Sequence, residues 1–530
     1  MPSLLYASAG VNRSSHVLDS GIVSLKQGES SSSSVVPIIA YASHKSVVFW
    51  EDPQDSDSPG ITSYVHVAKA PITALRFITQ PAWEEASIDL PYAATISALA
   101  VGSADGAVHL LKPSRSSSTS RHKRGARLTW EKCLTLPAKH AGSISTIAVI
   151  KHAPGSSKSS QEEFVIATGG SDGKLRIWWL FSQSDSIEIS GEPFEMDLGG
   201  PFPLTASLSF LPGTGGRLLL AVGITQRRVA IYVQNGKNRR FFKAVMLEGH
   251  EDWVRSLDIC TSSANGDLML ASASQDSCTR LWRIKRQQQA SVSTSSNSQQ
   301  KDAFEALAEK LEDDRLDDRG ISTKAHPFSL DGVPEESKSW SVTFDALLVG
   351  HDGWVNDVRW ALATPQGQPA ALLSAGSDGS CILWEPSVSN SSSAADTTHS
   401  DRGIRTFAHP DASSDSALWM PSARFGEVGG VATGGFYGCI WLPRSSIKDP
   451  ATSILAQAWN GATHLFRREE ASAQAKWTSA PSVGGHLGAV RGIDWEPQGK
   501  WFLTAGIDRT TRLHGRYCRD LKGKGKEQVS

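Results

Sequence analysis

GHDGWVNDVRW, from Gly350 to Trp360, followed after a loop by LSAGSDGSCILW, from Leu373 to Trp384, is the stretch that decides the fold. It reads as a His, a strand, a variable loop, a second strand, an Asp turn and a third strand ending in Trp. The same unit recurs upstream. GHEDWVRSLDI from Gly249 leads to ASASQDSCTRLW at 271 to 282, and KHAGSISTIAV from Lys139 leads to ATGGSDGKLRIWW at 167 to 179. In all three copies the Asp precedes the Trp by the same spacing, so one structural unit is built repeatedly.

These residues resemble the WD-repeat family, in which the His, a Ser or Thr of the second strand, the turn Asp and the Trp form one hydrogen-bonded chain per blade. The resemblance implies three such tetrads here: His140, Thr168, Asp172 and Trp178; His250, Ser272, Asp276 and Trp282; His351, Ser374, Asp378 and Trp384. A buried polar chain of this kind rigidifies a blade when every member is satisfied. The implied fold is an all-β propeller.

Weaker copies fill the remaining chain. IIAYASHKSVVFW at 38 to 50, ALAVGSADGAVHLLKP at 98 to 113, RLLLAVGITQRRVAIYV at 217 to 233, and the segments between Gly429 and Phe466 each read as a blade. With the three strong copies they make about seven four-stranded blades over residues 1 to 467, a number at which a ring commonly closes. An eighth unit, GGHLGAVRGIDWEPQGKWFLTAGIDRTTRLHG from Gly484 to Gly515, carries His486, Thr504 and Asp508, with His514 where Trp is expected. A blade beyond a closed ring lacks a neighbour on one face. The expectation is therefore that 472 to 516 is the start of an incomplete second propeller, with a basic tail at 517 to 530. An eight-bladed single ring is the other arrangement the count allows.

KSWSVTFDALLVGHDGWVNDVRW from Lys338, RFGEVGGVATGGFYGCIW from Arg424 and VGGHLGAVRGIDWEPQGKWFLTAGIDRTTRL from Val483 are more specific than a generic repeat, and resemble the Elongator second-subunit family. That family carries two seven-bladed propellers in one longer chain, so the resemblance covers the first ring and the opening of the second. It implies a scaffold subunit of the complex that modifies wobble uridines of transfer RNA. It also implies partners in the largest scaffold subunit and the catalytic subunit and a cytoplasmic or also nuclear location, and it allows an indirect or weak contact with transfer RNA. A substrate receptor for a ubiquitin ligase is the alternative class, although adaptor-docking elements are not evident.

Composition agrees with a binding protein. The 53 Lys and Arg nearly cancel the 54 Asp and Glu, so no global field draws the chain to nucleic acid or to an anionic membrane. The six cysteines show no CxxC pair, which argues against a disulfide framework or zinc site and for a reducing compartment. The most apolar run, RLLLAVGI at 217 to 224, is far shorter than a membrane span. Phosphate-loop, metal-helix and nucleophile-turn motifs are missing. The His, Asp and Ser set recurs in several blades, whereas an active site is built once. No enzyme activity, cofactor, metal or catalytic residue is expected.

Three further segments are singled out. RHKRGAR at 121 to 127 reads as an exposed blade loop, and Phe241 and Phe242 of RRFFK as core or outer-strand residues. The insertion from 286 to 342 joins a polar low-complexity run to a short amphipathic helix through Phe304, Leu307, Ala308 and Leu311. The residues that enter each inner strand line one face in the WD-repeat family. Here Trp253 and Arg255, Trp354 and Asn356, and Gly488 and Arg491 occupy those places, so Trp253, Arg255, Trp354, Asn356 and Arg491 are candidate partner-binding residues. The two Trp side chains either face a partner or pack within their own blades.

Overall fold

The computed structural model describes residues 3–9, 17–26, 33–51, 60–78, 97–115, 128–152, 162–183, 186–236, 239–261, 267–287, 325–361, 371–387, 405–408, 418–426, 434–442, 453–469, 476–480, 482–497 and 499–515. The basic loop at 121–127, the helix placed over Phe304 to Leu311 and the tail at 517–530 lie outside the described residues.

Short β-branched and aromatic runs punctuated by Asp, Gly and Ser turns give antiparallel strands, and these assemble into eight sheets. Blade 1 holds Leu18–Lys26, Ser33–Ser43, Ser46–Glu51 and Gly60–His66. Blades 2 to 7 follow in chain order, with inner strands Ile72–Ile78, Ile144–His152, Pro203–Phe210, Val254–Thr261, Val355–Ala361 and Phe436–Trp441. Blade 8 is Val490–Trp495, Trp501–Gly506 and Thr510–Gly515, and its fourth strand is Ser3–Ala9 from the other end of the chain.

Second strands are apolar on both faces because each blade is covered by a neighbour on either side. Leu218–Ile224, Leu268–Ser274 and Trp501–Gly506 are buried at every residue. Trp50, Trp178, Trp384 and Trp495 are among the largest fully buried side chains. Burying one such indole, roughly 200 Å² of surface, contributes on the order of 5 kcal/mol before the entropy of ordering is counted. Phe241 lies in the outer strand Arg240–Leu247 of blade 4 and is buried, while Phe242 is partly buried.

The blade count corrects the sequence reading. Blade 8 does not open a second propeller. Its strand Thr510–Gly515 pairs antiparallel with Ser3–Ala9, from Ser3 against Gly515 to Ala9 against Thr510. Its Trp501, Leu503 and Leu513 share a core with Val17, Ile39 and Tyr41 of blade 1, and its Ile493, Trp495 and Phe502 share one with Leu455 and Leu465 of blade 7. The blade judged to lack a partner on one face is thus covered on both. The division expected between 467 and 472 also falls inside blade 7, whose third strand is Thr463–Glu469 and whose outer strand is Lys476–Ser479. Part of the insertion is likewise strand: blade 5 keeps its third strand to Arg286 and resumes at Ser339, with His326–Ser329 added at the edge.

Candidate functional site

Each strong repeat brings its polar residues together at the end of the blade where the inner strand begins. In blade 5, His250 Nδ1 lies 2.7 Å from Asp276 and Nε2 lies 2.8 Å from the Ser272 hydroxyl, to which Trp282 Nε1–H donates at 3.1 Å. Blade 6 repeats the geometry through His351, Asp378, Ser374 and Trp384 at 3.1, 2.8 and 3.0 Å. In blade 3, His140 meets Asp172 and Thr168, both at 3.0 Å. Its last member departs from the expected chain, for the buried Trp178 indole N–H has no hydrogen-bond partner. Blade 8 joins His486 to Asp508 at 3.1 Å and to Thr504 at 2.9 Å, and His514 fills the Trp position with Nε2 3.2 Å from the Thr504 hydroxyl.

Glycines flush against these networks carry a signal the sequence reading passed over. A Cβ on Gly376 would sit 2.3 Å from His351 Nδ1, and one on Gly170 or Gly506 would sit 2.4 Å from His140 or His486 Nδ1. The second-strand residue beside the imidazole has to be small.

Burial fixes the direction of the bonds. It holds His140, His250 and His486 below the usual 6.5, outweighing the pull of their Asp partners. The neutral imidazole therefore donates from Nδ1 to the carboxylate and accepts at Nε2 from the hydroxyl. Burial raises the Asp378 carboxyl, but the bond and charge of His351 and the N–H groups of Asp352 and Ser380 prevail and leave it at about 2. The Ser, His and Asp atoms thus mimic the wiring of a hydrolytic triad. Ser272 and Ser374 are nevertheless 0% exposed, so no substrate reaches these hydroxyls.

The accessible feature is the central channel, a cavity of about 550 Å³ lined by residues of all eight blades. In every blade from 2 to 8 the inner strand carries a β-bulge at its second residue, where the pairing register skips one position. Bulges re-aim the extra side chain. Here they put Thr73, Ser145, Leu204, Arg255, Asn356, Tyr437 and Arg491 at equivalent places around one end of the channel. Thr73, Ser145 and Asn356 donate to the backbone carbonyls of Ile144, Pro203 and Phe436 in the following blades, so Asn356 is a stitch between blades 6 and 7. Arg255 and Arg491 make no such stitch. The Arg491 guanidinium lies 3.8 Å above the Tyr437 ring, which leans on Trp459. Tyr437 was not singled out from sequence; its register at the bulge was the missing clue.

The same end of the ring bears Trp253 at 40% and Trp354 at 49% exposure, so each side chain presents a large part of its surface to solvent. Leu487 and Ile507 of blade 8 are also exposed, at 95% and 38%. Gly488 has no room for a side chain, since a Cβ would come 2.7 Å from Ile507.

Acids and bases are interleaved along the inner strands, and Asp19, Arg76, Asp357, Arg359 and Asp494 among them line the channel. Asp19 accepts from the Phe77 N–H at 2.7 Å with Arg76 3.7 Å away, Asp258 accepts from the Trp360 N–H at 2.8 Å, and Arg359 holds Asp357 at 3.2 Å. Burial, and for Asp494 the charge of Asp19, push Asp258 to about 6 and Asp494 to about 7.

Comparison with known proteins agrees with this architecture. The WD domain, G-beta repeat family matches residues 242–283, 343–385 and 477–514, which cover the repeats of blades 5, 6 and 8. Elongator complex protein 2 of Homo sapiens is 31% identical over 359 residues, 67% of this chain and 35% of that protein. The Danio rerio and Saccharomyces cerevisiae proteins of the same name are 29% and 28% identical over 76% and 68% of this chain, and 40% and 39% of their own lengths. The chain therefore spans well under half of these curated relatives. Among solved structures, Sqt1 from Chaetomium thermophilum superposes with a TM-score of 0.52 at 14% identity, covering 91% of this chain and 93% of that one, a likeness of fold.

Proposed function

The chain is a WD-repeat β-propeller whose sequence relatives are Elongator complex protein 2, and from that premise we propose that it is a non-catalytic scaffold subunit of an Elongator complex. In this reading it docks the largest scaffold subunit and the catalytic subunit, and serves wobble-uridine modification of transfer RNA through those contacts, in the cytoplasm or also the nucleus. One observation carries the reading. The Ser, His and Asp groups that resemble catalytic machinery are sealed inside the blades, while Trp253, Trp354 and Leu487 stand exposed on one face. Large apolar side chains held in solvent by a rigid scaffold suit protein docking. Affinity isolation of the tagged full chain tests it. Recovery of the other Elongator subunits is the expected result, whereas recovery of cullin-type partners in their place would move the chain to the ubiquitin-ligase class.

A further inference from the structure

The mouth of the channel has a charge arrangement that the scaffold role by itself does not require. Arg255 and Arg491, three blades apart in the ring, sit at the same bulge position, and both side chains line the cavity. Several buried or half-buried arginines elsewhere in the channel and blades meet carboxylates: Arg359 meets Asp357, Arg283 meets Asp345, Arg176 meets Glu195 and Arg424 meets Asp378. Arg255 is acted on by Arg491 and the Tyr437 phenol and by no carboxylate. Its pKa lies below the usual 12.5, through burial first and the like charge of Arg491 second. Arg491 Nε is buried without a hydrogen-bond partner, and the guanidinium rests on the face of Tyr437. Asp19, Asp357 and Asp494 line the same cavity, but neither guanidinium at its mouth is paired with a carboxylate, so the two repel each other until an anion enters between them.

The rim narrows the choice of anion. Trp253 lies two residues before Arg255 and Trp354 two before Asn356, both exposed, with Leu487 on the same side of the ring. Glu251 and Asp352 are also exposed in these loops and disfavour a continuous polyanion or a dianionic phosphate laid across the face. A singly charged group on a chain that also carries apolar side chains satisfies both features.

We propose that the channel mouth is a binding site for an acidic peptide segment of a partner protein, with an Asp or Glu carboxylate held between Arg255 and Arg491 over Tyr437 and flanking apolar residues seated on Trp253 and Trp354. This deepens the docking reading above and rests on it only for a protein as the source of the anion. Bidentate guanidinium–carboxylate pairing supplies the geometry, and exclusion of water in the mouth strengthens it.

Fluorescence anisotropy with the full chain and a rhodamine-labelled peptide carrying a single Glu flanked by Leu residues tests the site. R255Q/R491Q is expected to weaken binding at least about tenfold, R491Q alone by less, and R255K/R491K to retain part of it. The peptide should raise the melting temperature of the wild type and leave that of R255Q/R491Q unchanged, a readout that also confirms that the variant folds. Equal binding by wild type and R255Q/R491Q, absence of peptide binding, or tighter arginine-dependent binding of a phosphoserine peptide or of single-stranded RNA would each overturn the proposal. Failure of peptide binding with Elongator subunits still co-isolating would sink this inference and leave the scaffold reading standing.

Discussion

Blades 5 and 6 and blades 3 and 8 begin their polar networks identically and end them differently. In all four, a neutral or buried His joins a turn Asp to a hydroxyl on the second strand. In blades 5 and 6 the hydroxyl belongs to Ser and accepts from a Trp indole; in blade 3 it belongs to Thr and the Trp178 N–H is left without a partner. In blade 8 a second imidazole replaces the indole, and its Nδ1 is buried without a partner. The His and Asp half therefore organises the turn by itself, and the Trp half adds a bond only where the hydroxyl can accept it.

The largest expected effect lies in the shared half. Asp276 accepts from His250 and from the N–H groups of Glu251 and Cys278, so Asp276→Ala strands two part-buried donors and one exposed one and should cost about 3 kcal/mol. A thermal melt of D276A indistinguishable from wild type would show that the turn holds without its carboxylate.

The next effect separates blade 8 from the others through pH. Burial, with the charges of His486 and Arg512, depresses His514 to about 3 from 6.5, so the unfolded chain binds the proton first. Its contribution is complete above pH 6.5 and declines as pH falls toward 3, by about 2 kcal/mol at pH 5. Asp494 in the same blade acts in the opposite sense. Its folded pKa of about 7 exceeds the ordinary 3.8, so the native state binds the proton first and gains stability, on the order of 2 kcal/mol, between pH 7 and 5. Relative to wild type, H514F should therefore tilt stability upward on acidification and D494N downward. Parallel curves for all three proteins would contradict these protonation states.

The smallest effect compares the two indoles directly. Trp282→Phe removes a bond to Ser272 and should cost about 1 kcal/mol beyond the change in packing, whereas Trp178→Phe removes an N–H that has no partner and should approach neutrality. Equal destabilisation in matched denaturant titrations would mean that packing alone sets both values.

Much of this was legible along the chain because each tetrad is closed by residues of one repeat. His351, Ser374, Asp378 and Trp384 are joined across two adjacent strand pairs, so their spacing is enough to predict their meeting. The same reading placed Trp253 and Trp354 at the start of inner strands but could not say which way they faced. That depends on the neighbouring blades, and both proved exposed. It also named Arg255 and Arg491 as partner-binding candidates without relating them to each other, and it passed over Tyr437. A bulge is a mismatch between two strands and leaves no mark in the composition of either.

By itself, then, the sequence determined the repeat, the all-β propeller class and, the Trp178 indole apart, the residues that meet in the polar networks, because those rest on contacts within one blade. The number of blades in the ring was decided only by tertiary structure, since closure depends on Ser3–Ala9 pairing with Thr510–Gly515. So was the cluster of Arg255, Tyr437 and Arg491 at the channel mouth, which exists only because three separate blades converge on one axis. Local periodicity records what a strand does with its neighbour in the chain; it does not record which distant strand completes the circle or what charges meet at its centre.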